Sequence, residues 1–557
     1  MHSLALTVVA VTAVVAYGYN DLNGGDTCTA SGNARADCYP WETESLDKNK
    51  CMAHGCCWDN SQDGVPWCFY PTLPAPSAGS CSAVTVPSRL DCHPEPNASQ
   101  DQCESRGCCW DASVEEVQGL PACFFPHTEA YSTDSGPKTT ATGWKASVSL
   151  ADSSFRGPYA KDASNLDVEA WFETKQRLRV RISDPSSPNR WEVPGVVQTE
   201  PPTQAAEDRD YDARISKAPF GLEVVRASNG ATLFNSTPPA VGEWAPLGPS
   251  GSFSGLIWEN QFIEISMQVA SKPLVYGLGE HIVPLLLPST APDGAGQTYT
   301  LLSRDQGTPV HNSHGGTNLY ASHPFMLFID EDSGDAHGVF LLNSNAMEAV
   351  LQPGALTLRT TGGVLDFYFF TGPSPAEVIA QYHEVIGRPY MFPRWSLGFH
   401  LCRWGYDNMS NVEQVVQGMQ HANLPQDVQW FDIDHFASPY LDFTYDPKNF
   451  APEEVNSFFT TQFQKNGLRH INIVDPGISD TQKAGSYPAF DDGVDMDIFL
   501  RNSSGSYLQG KVWPGFVYFP DWLHPNTTDW WTQQFQAYKK LAPIAGSWTD
   551  MNEVSST

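Results

Sequence analysis

Between residues 136 and 392 apolar and polar positions alternate in short runs such as "RLRVRIS", "GLEVVRAS", "FIEISMQVA", "FMLFID" and "LDFYFF", broken by Gly, Pro, Asn and Asp. A period of two, interrupted at short intervals by turn residues, predicts an antiparallel β-sandwich over 136–392. After "PRWSL" the period lengthens. "SLGFHLCRW" is an apolar run, and Val412, Val415, Val416 and Met419 then recur as one helical face, with Ser410 and Glu413 spaced as a capping box. "VQWFDIDHF" reads as the next strand, and "PEEVNSFFTTQFQKNG" as a helix opened by Pro and acidic residues and closed by Gly. "RHINIVDP", "TTDWWTQQFQAYKKL" and "AGSWTDMNE" continue the series as strand, helix and strand. Strand–helix–strand units in succession imply parallel strands, in a barrel or in a doubly wound sheet.

The amino-terminal part obeys neither period. Leu4 to Ala16 is a largely apolar run of signal-peptide length, so residues 1–16 are expected to be a signal peptide. No later run approaches the length of a membrane span, and no transmembrane segment is expected. Twelve of the 13 cysteines precede residue 124 in two sets of six: Cys28, Cys38, Cys51, Cys56, Cys57, Cys68 and Cys81, Cys92, Cys103, Cys108, Cys109, Cys123. Each set carries "R-x-D-C", "GCCWD" and a closing Cys-Phe, so the two are tandem repeats, over 28–70 and 81–126, joined by the linker "PTLPAPSAGS" at 71–80. Units of this size bury too little apolar surface to fold unaided and need cross-links that only an oxidising compartment supplies. Zinc-like Cys or His spacing is absent. Asn97, Asn235, Asn408, Asn502 and Asn526 lie in glycosylation sequons, in keeping with the secretory pathway.

Charge narrows the partners. A formal net charge of -31 from 63 Asp plus Glu against 32 Lys plus Arg argues against nucleic acid or anionic lipid. An aromatic fraction of 12% with 17 Trp suits surfaces that stack on sugars. The strands of the third region finish in Arg403 and Trp404, then Asp432 and Asp434, then Asp475, then Trp548, Asp550 and Glu553. Barrel enzymes place their chemistry at such strand ends. Trp430, Asp432 and Asp434 alternate and are expected to share one strand face. A single Asp after a strand commonly caps the next helix, but several together describe an acidic, aromatic pocket. No phosphate loop, serine elbow or HExxH zinc motif competes with that reading. Glycoside hydrolysis needs such carboxylates, one at the oxocarbenium-like centre, another as proton donor and the rest on hydroxyls.

Each six-cysteine unit resembles the trefoil (P-type) domain, and that resemblance implies pairing of Cys28 with Cys57, Cys38 with Cys56, Cys51 with Cys68, Cys81 with Cys109, Cys92 with Cys108 and Cys103 with Cys123. "GFHLCRWGY", "DVQWFDID", "INIVDPGIS", "KVWPG" and "WTDMNE", with "YGLGEH", "NLYASHPF", "HGVFLLNSNAME" and "TGGVLDFYFF" before them, resemble glycoside hydrolase family 31, in particular its trefoil-bearing α-glucosidases. The resemblance implies a multidomain fold: two trefoils, the sandwich, and over 393–557 the first half of a (β/α)8 barrel with an insertion at about 476–526. It implies Asp550 as nucleophile, with Asp305, Trp404, Asp432, Asp475, Trp513, Trp548 and Met551 around a non-reducing glucose, Cys402 as a buried free thiol, and no metal or organic cofactor. The chain departs from the family in its second trefoil, in Thr549 where Ile is usual, and in "VSST" after Glu553 where Pro-Ser is usual. The acid/base Asp is accordingly expected beyond Thr557, with Glu553 structural, and residues 1–557 alone are expected to be inactive. The expected activity of the completed protein is retaining hydrolysis of terminal α-1,4-linked glucose from maltose, oligosaccharides or glycogen-like glucans, in the lysosome or outside the cell. The competing expectation is a secreted protein that binds carbohydrate through its trefoils without chemistry.

Overall fold

The computed structural model describes residues 28–552 and 554, apart from 31, 36–46, 54–55, 70–71, 73–80, 83, 85–88, 90, 94–97, 115–120, 127–129, 152–156, 159–161, 198–199, 201, 239–252, 254, 292–295 and 304–317. The signal peptide, Cys38, nearly all of the linker, Asn97, Asp305 and Glu553 therefore lie outside the described residues.

In the two repeats the structure joins Cys28 to Cys57, Cys51 to Cys68, Cys81 to Cys109, Cys92 to Cys108 and Cys103 to Cys123. The shared motifs meet in space. The arginine of "R-x-D-C" pairs with the aspartate of "GCCWD", Arg35 with Asp59 and Arg89 with Asp111, the latter at 2.7 Å. Each guanidinium also lies over the Phe after the last cysteine, 4.4 Å from Phe69 and 4.0 Å from Phe124. The repeats thus conserve a cation sandwiched between a carboxylate and a ring, which orders three otherwise loosely held segments. Bonds from Ser61 and Arg35 hold Asp59 down at about 2, and Ser113 and Arg89 do the same for Asp111.

The sandwich is antiparallel throughout, with a nine-stranded sheet, a five-stranded sheet and a three-stranded one. Alternation of the kind seen in Asn165–Phe172 buries Leu166, Val168 and Ala170 and leaves Asp167 and Glu169 toward solvent. Phe234 bridges the layers, 5.4 Å from Phe367 and 5.2 Å from Phe369. Two details correct the expected limits of an all-β unit over 136–392. The strand Tyr131–Ser132 already belongs to the nine-stranded sheet, and the helix Pro375–Ile386 packs on it. That helix has Pro375 in its first turn and a reciprocal Ser374–Glu377 capping box, a signal legible in the sequence but overlooked among the surrounding strands.

Beyond it four parallel strands form one sheet in chain order: β1 (His400–Leu401), β2 (Val428–Phe431), β3 (Arg469–Val474) and β4 (Ile544–Thr549). The helices are α1 (Met409–His421), α2 (Pro452–Asn466), α3 (Pro488–Asp495) and α4 (Thr527–Tyr538). α1 is capped by Asn408, whose side chain accepts from Asn411 N, and not by the expected Ser410–Glu413 box; the helix starts two residues earlier than the spacing suggested. α2 ends as predicted on Gly467 at φ +74°, where a side chain would be strained. α3 and a three-stranded antiparallel sheet, Ile478–Ser479, Gln509–Val512 and Gly515–Tyr518, lie between β3 and α4. Among the described residues no helix is long and apolar enough to cross a membrane.

The second trefoil is continuous with the sandwich core: Cys92, Cys103, Cys108, Cys123 and Phe125 share one buried cluster with Val148, Leu166 and Trp258. Asp91 lies at that junction, under the influence of His93 and of the Arg359–Glu264 pair of the five-stranded sheet. Burial pushes its carboxyl up to about 6, against the His93 amide and Arg359. A raised carboxyl favours the folded state below the unfolded value near 4 and loses that advantage as pH climbs through 6, an effect of roughly 2–3 kcal/mol. Asp91→Asn should therefore unfold at a higher temperature than the parent at neutral pH and at nearly the same temperature at pH 4, as read by scanning calorimetry. Parallel pH profiles for the two proteins would contradict the assignment.

Candidate active site

The site is set by strand register. Trp430 pairs with Ile471, Ile471 with Gly546, and Ile473 with Trp548. Partners in a parallel ladder project to the same side, so His400, Trp430, Ile471, Ile473, Gly546 and Trp548 share one face. The other face carries Phe431, His470 and Val474 against the helices, with Phe431 5.7 Å and His470 4.1 Å from Phe459 of α2. The Trp430 face is therefore the axial side. On it Trp430 lies 5.7 Å from Trp548 and donates Nε1–H to His400 Nδ1 at 2.9 Å.

One further step along each strand brings Asp432, Asp475 and Asp550 to the same side at the carboxyl ends. The ladder extends that far, since Asp550 N donates to Val474 O at 3.0 Å and sets Asp550 beside Asp475. Asp475 is buried at 3% exposure, and its own N–H donates to Oδ1 of Asp442 at 2.8 Å. Asp432 closes the turn after β2 by accepting from Ile433 N at 2.7 Å, and burial raises its carboxyl above the ordinary range. Met551, at φ +50°, turns the chain away and packs on the Val512, Val517 and Phe519 cluster of the small sheet. Among the described residues the groups of three metal-ligating side chains close enough to share an ion are Cys51, Cys56, Cys68 and Cys92, Cys108, Cys123, all disulfide-bonded.

Comparison with known proteins decides what this geometry belongs to. Residues 389–557 match the family model of the glycosyl hydrolases family 31 TIM-barrel domain, 165–349 the glycosyl hydrolase 31 N-terminal galactose mutarotase-like domain, and 28–71 and 81–126 the trefoil (P-type) domain. The chain is 41% identical over 480 residues to lysosomal alpha-glucosidase of Rattus norvegicus, covering 85% of this chain and 46% of that protein. It is 35% identical over 477 residues to intestinal sucrase-isomaltase of Oryctolagus cuniculus, with 85% and 24% covered. The chain belongs to glycoside hydrolase family 31. It spans about half the length of the lysosomal relatives it matches. Its fold superimposes on the Glc1Man2-bound glucosidase II alpha subunit with a TM-score of 0.62 at 22% identity, covering 77% of this chain and 52% of that one. For the glucose-complexed Flavobacterium johnsoniae GH31 dextranase the TM-score is 0.59 at 20% identity, with 77% and 49% covered.

Within this family 31 chain the structure brings Asp432, Asp475, Trp548 and Asp550 together at adjacent strand ends. Trp404, on the loop after β1, is 63% exposed, and Trp513, at the hairpin tip of the small sheet, is 50% exposed. Two expectations fail. Asp434 does not share the face of Trp430 and Asp432: β2 ends at Phe431, and Ile433–His435 is a 3-10 turn that swings Asp434 toward the loop after β1. There it accepts from the N–H groups of Gly405, Tyr406 and Asp407 at 3.1, 2.8 and 3.3 Å. Cys402 is a free thiol as expected but exposed, not buried, because it follows β1, which has a strand partner on one side in this four-stranded sheet. Partial burial and the neighbouring Asp432 and Asp434 carboxylates still push the thiol up to about 11. Of the described sequons, Asn502 is exposed on a turn; Asn235 closes a strand, Asn408 caps α1, and Asn526 spends Nδ2 on Met496 O at 3.1 Å.

Sequence reading missed a buried relay behind Asp432. His435 places Nδ1 2.6 Å from Asp432 O and Nε2 2.5 Å from the Tyr538 hydroxyl. A carbonyl only accepts, so Nδ1 carries the hydrogen and Nε2 must accept from Tyr538. Asn472 Nδ2 in turn donates to Tyr538 at 2.9 Å and to Tyr445 at 2.5 Å. Burial holds His435 down at about 3, so it stays neutral at any physiological pH. The chain of bonds links α4, β3 and the end of β2. Its residues lie far apart in sequence, and no local period could have announced it.

Asp434→Ala removes the acceptor of three amides and should cost about 1–3 kcal/mol of stability in denaturant unfolding, with Asp434→Asn recovering part of it. An unchanged midpoint in the alanine variant would show that the loop carrying Trp404 is held by other contacts.

Proposed function

We propose that this chain supplies the nucleophile and the glucose-binding floor of a retaining α-glucosidase acting on terminal α-1,4-linked glucose of maltose, oligosaccharides or glycogen-like glucans. The observation that supports it is the placement of Asp432, Asp475 and Asp550 on the axial side of adjacent parallel strand ends, above the Trp430 and Trp548 rings. The family assignment adds the reaction class. Asp550, at the end of β4, attacks the anomeric carbon and forms a glycosyl ester, which water then cleaves with net retention. Asp475 and Asp432 accept bonds from sugar hydroxyls and stabilise the positive charge that develops at the ring. The indoles of Trp430, Trp548 and Trp404 give the sugar's C–H faces an apolar surface. The proton for the leaving group comes from a further carboxyl outside this set. The lysosomal and intestinal relatives and the disulfide-bonded trefoils support action in the lysosome or at the cell exterior.

In the full-length protein, Asp550→Asn should lower kcat for an aryl α-glucoside by on the order of 10⁴ or more while leaving the melting temperature unchanged. Glu553→Gln should retain most of the activity. Turnover by the Asp550 variant comparable to that of the parent would overturn the reading.

A further inference from the structure

The loop after β2 carries a carboxyl that none of the roles above uses. Asp442 is 1% exposed, Oδ1 accepts the N–H of Asp475 at 2.8 Å, and its backbone carbonyl accepts the Tyr487 hydroxyl at 3.3 Å. The titratable groups that act on it are Asp475 and, from α4 and the start of α3, Tyr538 and Tyr487. Burial first, and then the Asp475 charge, push the Asp442 carboxyl well above the ordinary range. Like charges on two buried neighbouring carboxyls oppose each other, so neutralising one relieves the other.

We propose, on the basis of the α-glucosidase reading, that Asp442 is a positioning residue: it keeps the pair's proton, pins the end of β3 through the Asp475 amide, and leaves Asp475 as the anion that meets the sugar. The direction follows from the surroundings. Asp475 ends on the axial side beside Asp550, where sugar hydroxyls and a developing positive charge would solvate an anion. Asp442 lies behind it among tyrosines; the Asp475 N–H bond by itself favours an ionised Asp442, but burial and the Asp475 charge outweigh it, and the carbonyl oxygen of the neutral carboxyl still accepts that N–H. An ionised Asp442 would add a further negative charge behind a site that already holds Asp432, Asp475 and Asp550, and would favour protonation of Asp475 instead.

The test compares full-length wild type, Asp442→Asn and Asp442→Ala. Asn is neutral and keeps the acceptor, so its kcat/KM on an aryl α-glucoside should stay within about threefold of wild type, whereas Ala should raise KM at least about tenfold with a smaller change in kcat. Infrared difference spectra at neutral pH should show one protonated-carboxyl band in wild type that Asp442→Asn removes. Amide exchange at Asp475 should remain slow in the Asn variant and become fast in the Ala variant. An Asn variant as damaged as Ala, or a wild type without that band, overturns the proposal. Failure of the α-glucosidase reading would show differently, as a wild type that neither turns over the aryl glucoside nor binds 1-deoxynojirimycin, while the infrared band and the amide exchange still report on the Asp442–Asp475 pair.

Discussion

The in-phase register of β2, β3 and β4 is the constraint on which the site depends. Because Ile473 is level with Trp548, Asp475 falls level with Asp550, and because Trp430 is level with Ile471, Asp432 falls level with Ile473 and Trp548, one step before that pair on the same side. The ladder carries an irregularity between His470 and Ile471, and beyond it the partners run in step to Val474 and Thr549. A slip of one residue would turn every side chain of the displaced strand to the opposite face. Asp550 would then point at the helices and Thr549 at the axis. What fixes the register is the helix-side packing of Phe431, Val474 and Ile544 against α1, α2 and α4, together with the bonds of Asn472 and His435 to Tyr538. The catalytic geometry is thus held from behind, by groups that never meet substrate.

The same arrangement explains why so many acids can be tolerated in one place. Three of the carboxyls have separate means of relief: Asp434 faces three amides, Asp432 caps a turn, and burial favours the neutral form of Asp442. Without such donors a buried carboxylate would be neutralised or would unfold its surroundings. The second trefoil contributes at longer range by sharing its cysteine core with the sandwich, which makes it a structural part of the sandwich and not a separate appendage.

Much of this was legible in the chain. Period-two runs located the sandwich, longer periods the parallel unit, and duplicated cysteine spacing the two small modules, because each is a local pattern. The Arg35–Asp59 and Arg89–Asp111 pairs were visible as repeated letters, though their contact was not. Asp434 was misread because alternation was extended past the last ladder bond, where a 3-10 turn changes the direction of every side chain. Cys402 was misread because burial at a strand end depends on which strands flank it, a property of the sheet and not of the sequence around the residue. Asp442 and His435 gave no signal at all: their partners come from β3, α3 and α4, and only the tertiary structure brings them together.

The claim that the β4 end delivers the nucleophile is tested most directly by trapping. Incubation of the full-length protein with 5-fluoro-α-glucosyl fluoride, followed by digestion and mass spectrometry, should find a single fluoroglucosyl ester on the peptide containing "WTDMNE", with fragmentation placing it on Asp550. A label on Asp432, Asp475 or Glu553 would contradict the account.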